Sequence, residues 1–246
     1  MSNINQKVAI VTGSSRGIGA AVARRLAEEG FAVVVNYAGS TAAAQEVVQQ
    51  ITQNGGKALA VQGDVSNPDA VRALFDTTEN TFGGVDVLVN NAGIMVTTPL
   101  SETDDAAFDQ QIAINLKGSF NTMREAAKRL RNGGRIINFS SSVVGMLQPT
   151  YGVYAATKAG VEALTSILAK ELRGRNITVN AVAPGPTATD LFFNGKPQEV
   201  IDRLSKMAPL ERLGQPEDIA AVVAFLTQED GSWINGQVLR ANGGII

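Results

Sequence analysis

The chain contains neither cysteine nor histidine. The first absence excludes disulfides and thiol catalysis; the second removes the commonest metal ligand and proton shuttle, so neither a zinc centre nor a Ser-His-Asp triad can be assembled. Excess charge of one sign is missing too: 21 Lys and Arg stand against 23 Asp and Glu, net −2, and the basic residues are scattered. Such a surface predicts no nucleic-acid and no membrane partner. No apolar run approaches the length of a membrane span. The opening MSNINQKVAIVTG lacks the basic region, long apolar stretch and small-residue cleavage site of an export signal, so the expected location is cytoplasmic.

What remains is an alternation. Short β-branched runs recur at KVAIV (7–11), AVVVN (32–36), ALAVQ (58–62), VDVLV (85–89), RIINF (135–139), ITVNAVA (177–183) and QVLRA (237–241), separated by amphipathic stretches around 17–29, 41–53, 68–81, 104–131, 153–173 and 216–227. Parallel strands need crossover connections, so this order predicts an α/β fold, a doubly wound parallel sheet with helices on both faces. The near-continuous Val, Ile and Leu of several strands agrees, because such strands are buried on both sides. No linker or shift of composition marks a second domain, and 246 residues at 44% hydrophobic suffice for a single one spanning 1–246. The least regular stretch, 186–212, carries apolar residues at its tip and is expected to be a substrate-binding segment.

The first strand runs into TGSSRGIG, Thr12 to Gly19, and then straight into a helix. Glycines at 13, 17 and 19 permit a tight turn and close backbone approach, and the helix N-terminus offers N–H groups to a phosphate, so a dinucleotide is the expected ligand. The stretch YAATK places Tyr154 and Lys158 on one helical face about a turn apart. A phenol ordinarily titrates near pH 10. A neighbouring ammonium favours the phenolate, as would a positively charged ring of a bound dinucleotide, and either is expected to bring Tyr154 toward a useful range, an acid-base pair in place of histidine. Only 3 tyrosines exist, and Tyr151 is expected in the substrate pocket.

TGSSRGIG, the NNAG of residues 90–93, a serine thirteen residues before YAATK, Pro184-Gly185 and the NGG near the C-terminus occur in the order and at the separations of the short-chain dehydrogenase/reductase family, which the whole chain resembles. The resemblance implies a Rossmann-type sheet of about seven strands. It also implies a catalytic set of Asn115, Ser141, Tyr154 and Lys158, with Ser142 as the reserve for Ser141 and Asn121 for Asn115. Asn115 would bend its helix and hold a water leading to the lysine. Cofactor contacts are implied at Gly13, Ser15, Arg16, Gly17, Ile18, Gly19, Asn36, Tyr37, Ser40, Asp64, Val65, Asn91, Ala92, Gly93, Pro184, Gly185 and Thr187, besides Tyr154 and Lys158. The second strand ends on Asn36 and Tyr37 with no carboxylate, while Arg16 and Ser40 are at hand for a 2′-phosphate, so the expected cofactor is NADP(H).

Met95, Ser141, Leu147, Tyr151 and Phe192 are the expected substrate contacts in a mostly apolar pocket suited to a ketone or β-keto ester. The likeness to 3-oxoacyl-(acyl-carrier-protein) reductases leaves that activity as the alternative, with the basic KRLRNGGR and RGR segments as possible carrier contacts or as ordinary helix C-terminal cations. A nucleotide-binding regulator without catalysis is the other class. The family habit implies a homotetramer through the helices at 104–131 and 153–173 and the C-terminal segment.

Overall fold

The computed structural model describes residues 6–246, so the first five residues of the polar opening lie outside the described residues. Seven strands form one sheet: β1 (Val8–Val11), β2 (Ala32–Tyr37), β3 (Lys57–Gln62), β4 (Val85–Asn90), β5 (Leu130–Phe139), β6 (Thr178–Pro184) and β7 (Val238–Ala241), in the order β3-β2-β1-β4-β5-β6-β7. Every neighbouring pair is parallel. The order reverses between β1 and β4, which opens a crevice at their C-terminal ends.

Period-two alternation sorts side chains to two cores even though nearly every strand residue is apolar. Ala9, Val11, Val33, Val35, Val87, Val89, Ile137 and Phe139 pack on one face against α1 (Gly17–Glu28), α2 (Thr41–Gln53) and α10 (Pro216–Thr227). Ile10, Val34, Leu88, Ile136 and Val179 face the other way, against α3 (Pro68–Phe82), α5 (Gly118–Arg129) and α7 (Gly152–Glu171). Burial on both faces is what a parallel sheet requires.

The stretch expected as one helix over 104–131 is α4 (Asp105–Gln111), a π-helical segment (Ile112–Lys117) and α5 in succession. A π-turn admits an extra residue per turn and is a recurrent device at functional sites. β5 begins earlier than expected, at Leu130, which pairs with Val85 before a register shift carries Arg135 onto Val87. The irregular stretch 186–212 contains two helices, α8 (Asp190–Phe193) and α9 (Gln198–Met207), and a further short helix, α6 (Val143–Met146), follows β5. Among the described residues no helix is long and apolar enough to cross a membrane.

A buried polar chain crosses the sheet where the site begins. Thr122 Oγ1 donates to Asn90 Oδ1 at 2.5 Å, Asn90 Nδ2 to Asn138 Oδ1 at 2.8 Å, and Asn138 Nδ2 to Thr165 Oγ1 at 2.8 Å. Asn90 and Asn138 are register partners on β4 and β5, so the chain locks both strand ends to α5 and α7. Asn138→Ala leaves a fully buried amide donor without a partner and is expected to cost about 2 to 3 kcal/mol. Denaturant midpoints with an unchanged slope would register it; a loss under about 0.5 kcal/mol would contradict the assignment.

Candidate active site

The glycine loop is shaped by what stands behind it. Gly13 (φ 60) and Gly17 (φ 55) are left-handed, and a Cβ on Gly13 would come within 2.8 Å of Ala92 Cα. At Gly19 a Cβ would meet Asn91 Nδ2 at 2.5 Å and Gly13 O at 2.6 Å. Asn91 Nδ2 donates to Thr12 O (3.0 Å) and Gly13 O (2.9 Å), while Thr12 Oγ1 accepts from the Asn91 and Ala92 backbone N–H groups, both at 3.1 Å. Asn91 therefore clamps the loop as well as lining the cleft. Helix α1 starts at Gly17 with no side-chain cap and no acidic residue in its first turn. Its N–H groups and positive dipole end are available to an anion. Ile18 lines the cleft, Ser15 is half-buried, and Arg16 is exposed.

Asn36 and Tyr37, expected near the ribose, turn their side chains into the protein. Asn36 is 1% exposed, its Nδ2 donating to Val61 O (3.2 Å) and Gly63 O (3.0 Å) and its Oδ1 accepting from Gly13 N (3.4 Å). It ties β3 to the glycine loop. Tyr37 is 7% exposed in the core with α1 and α2, where burying an aromatic body is favourable. Arg16 and Ser40 are among the exposed side chains at this edge. Ser40 caps α2 by accepting from Ala43 N at 3.3 Å, which leaves its own hydroxyl proton free to donate.

Asp64 is exposed and accepts from Ser66 N at 2.8 Å, and Val65 is pressed against Gly118, where a Cβ would sit 2.5 Å from Val65 Cγ2. Asn121, the reserve for the catalytic asparagine, serves this turn instead: its Nδ2 donates to Val65 O at 3.0 Å. Asn115 is fully buried in the π-segment. Its Oδ1 accepts from Ile94 N (2.8 Å) and its Nδ2 donates to Ile94 O (2.9 Å) and Thr157 Oγ1 (3.3 Å). The side-chain amide is thus committed to the loop after β4. Glycine at 93 keeps the space beside it open, since a Cβ there would lie 3.2 Å from Asn115 Oδ1 and 3.6 Å from Lys158 Nζ.

The three serines after β5 have different tasks. Ser140 Oγ donates to Glu162 Oε1 at 2.5 Å; Ser142 Oγ donates to Ala183 O at 3.3 Å and accepts from Asn242 Nδ2 at 3.0 Å. Ser141 Oγ accepts from Val143 N at 3.3 Å and lines the cleft with Tyr154 and Lys158. Lys158 is 4% exposed, donates to Phe139 O at 2.8 Å and stands 5.7 Å from the centre of the Tyr154 ring.

Burial governs both titrations. It pushes Tyr154 up to about 12, with the nearby Ser141 hydroxyl opposing the rise and Tyr151 adding to it, and it pushes Lys158 down to about 8. The expected lowering of the phenol by the lysine is therefore reversed in the protein alone, because removing the phenolate from water outweighs an ammonium that is itself desolvated and turned to a carbonyl. At neutral pH Tyr154 is a protonated donor beside a second hydroxyl. That arrangement can deliver a proton to an oxygen gaining negative charge.

Pro184, Gly185 and Thr187 line the cleft, as do Met95, Tyr151 and Phe192. Leu147 does not. It ends α6 in a left-handed turn (φ 48) and is 74% exposed, so the turn carries it outward. Sequence reasoning missed Thr189, which caps α8 by accepting from Phe192 N at 3.2 Å and would lie 3.5 Å from a Cβ on Gly17. The signal was a threonine just before an apolar run.

A family model described as enoyl-(acyl carrier protein) reductase matches residues 13–246. A short-chain type dehydrogenase/reductase of Picea abies is 48% identical, covering 97% of this chain and 92% of its own. NADPH-dependent aldehyde reductase 2, chloroplastic, of Arabidopsis thaliana is 46% identical over 98% and 94%. Among solved structures, a short-chain dehydrogenase of Burkholderia cenocepacia J2315 in complex with NADP superposes with a TM-score of 0.92 at 38% identity, covering 97% of each chain. With a parallel seven-stranded sheet, a glycine loop at its switch point and a tyrosine-lysine pair in the adjoining cleft, the chain belongs to the short-chain dehydrogenase/reductase family of oxidoreductases.

Proposed function

We propose that this protein is an NADPH-dependent carbonyl reductase that converts mainly apolar ketones, β-keto esters among them, to secondary alcohols. The observation that carries the reading is the convergence of Ser141, Tyr154 and Lys158 in one cleft beside the glycine loop. The residues present suit a dinucleotide: Gly13 and Gly19 let the loop fold tightly against Ala92 and Asn91, where a Cβ would clash, and the uncapped start of α1 that this turn presents suits a phosphate. The cofactor supplies hydride. Tyr154 gives its proton to the carbonyl oxygen, Ser141 donates a second hydrogen bond to that oxygen, and Lys158 holds positive charge behind the ring. Met95, Leu191, Phe192 and Leu204 give the cleft apolar surface for the rest of the substrate.

Preference for the phosphorylated cofactor is supported by exposed Arg16 and Ser40 and by the absence of a carboxylate at the end of β2. The printed names of the Arabidopsis and Burkholderia relatives point the same way. Arg16→Ala is expected to lower kcat/KM for NADPH by about tenfold or more while leaving NADH nearly unchanged. Steady-state kinetics with both cofactors measure it, and an equal loss with both would sink the assignment.

The alternative, reduction of a carrier-bound 3-oxoacyl group, gains little from the basic segments, because several of their cations are engaged within the fold and Arg173 alone stands exposed without a partner among the described residues. Arg129 pairs with Asp76 (2.6 Å) and Glu79 (2.5 Å), Arg131 with Asp86 (3.0 Å), and Arg175 donates to the Ala127 and Leu130 carbonyls. For a homotetramer, the supporting feature is apolar exposure at Phe108, Phe120 and Ile167 on α4, α5 and α7. The deciding assay is NADPH absorbance with a β-keto ester. Cofactor binding without turnover would favour a regulator instead.

A further inference from the structure

The catalytic cleft has an annex. Gln148, Tyr151 and Leu204 line both the cleft and a second chamber of about 540 Å³, whose remaining wall includes Lys196, Val200 and Arg203. The annex holds two cations and no carboxylate. Some of this chain's arginines meet carboxylates, as Arg129 does Asp76 and Glu79 and Arg212 does Asp218 at 2.6 Å. Arg203 has no ion pair among the described residues, although α9 carries Glu199 and Asp202; neither lines the annex, and Asp202 accepts from Gln198 Nε2 at 2.8 Å. Lys196 is held in place rather than dangling, its Nζ donating to Phe192 O at 2.8 Å and lying 5.0 Å from that ring's centre. The ammonium has further donors to spare. Partial burial pulls its pKa below the ordinary lysine value, which an anion beside it would reverse.

We propose that the annex is an anion subsite: a ketone seated at Ser141 and Tyr154 extends a linker past Tyr151 and Leu204 to a carboxylate or phosphate held by Lys196 and Arg203. The position of the ketone rests on the reductase reading; the anion subsite itself rests on the annex. A free keto acid and a phosphopantetheine thioester share this chemistry, and they are separable by assay.

The holoenzyme with NADPH at low ionic strength is given levulinate against methyl levulinate, and acetoacetyl phosphopantetheine against its dephosphorylated form. In whichever pair matches the natural source, the anionic member is expected to lead by about fivefold in kcat/KM, through KM, with the lead shrinking as salt is added. Arg203→Gln and Lys196→Gln are each expected to erase most of that lead, and Arg203→Glu to invert it. Calorimetric titration of the same ketones into the complex with NADP⁺, where no hydride is available, gives an affinity that needs no turnover. Turnover with no anionic lead in either pair, unchanged by Arg203→Glu, overturns the subsite and leaves the reductase standing. Anion-selective binding that Arg203→Glu abolishes, with no ketone turned over, supports the subsite and overturns the reductase reading.

Discussion

Replacing Tyr154 by phenylalanine is expected to lower kcat for ketone reduction by about a thousandfold while cofactor binding persists. The ring is half-buried along the cleft, so phenylalanine preserves the contact with Lys158 and the entrance to α7 and removes only the hydroxyl. No other group stands ready to replace it: Tyr151 lines the cleft but precedes the lysine by seven residues, about two turns, and the chain has no histidine. With the phenol pushed up to about 12, reduction is expected to be insensitive to its titration near neutrality. Alcohol oxidation needs the phenolate and is expected to rise with pH. Fluorescence titration with NADPH separates binding from chemistry. Retention of a tenth or more of the wild-type rate would remove Tyr154 from the proton-transfer step.

Lys158→Met carries two expected effects. The first is a loss of about a hundredfold in kcat, because the positive charge that favours the phenolate is gone. The second concerns stability. Burial holds Lys158 at about 8 against an ordinary 10.5, so between those values the unfolded chain binds more protons than the native one. Native stability therefore rises with pH across about 8 to 10.5, by on the order of 3 kcal/mol. Tyr154 acts in the opposite sense: its native value of about 12 lies above the ordinary 10, so the native state binds more protons there and stability falls as pH climbs from 10 to 12. Lys158→Met is expected to abolish the first limb and keep the second. Denaturant unfolding at intervals from pH 7 to 11 reads both, and a wild-type curve flat between 8 and 10 would contradict the burial.

Much of this molecule is written in short-range pattern. Val33, Val34 and Val35 can only be a strand buried on both faces, and glycines at 13, 17 and 19 before a helix announce a backbone that something must approach closely. The spacing of Tyr154 and Lys158 on one helical face needs no tertiary information. Other features depend on partners remote in sequence. Asn36 reads as a polar strand end, yet its amide is consumed by Val61, Gly63 and Gly13. Tyr37 follows the sheet's alternation into the core, which its polar tip conceals. The π-segment around Asn115 arises from bonding to Ile94, 21 residues earlier, and no local propensity encodes it. In the protein alone the Tyr154 shift runs opposite to what charge spacing suggests, because spacing is visible along a chain and desolvation is not.

The asymmetry between the two sides of the cleft has a practical consequence. The loop bearing Met95 hangs from Asn115 by a reciprocal pair of bonds, with Val96 N held in addition by Gln111 Oε1 at 3.1 Å, so it behaves as an anvil. Across from it, Leu191 and Phe192 ride on a four-residue helix whose anchors are largely its own, Thr189 and Lys196. Libraries seeking new substrates should diversify that facing jaw from 191 to 204 and leave the anvil untouched, because substitutions at 115 or 111 would loosen the surface against which every ketone must be aligned.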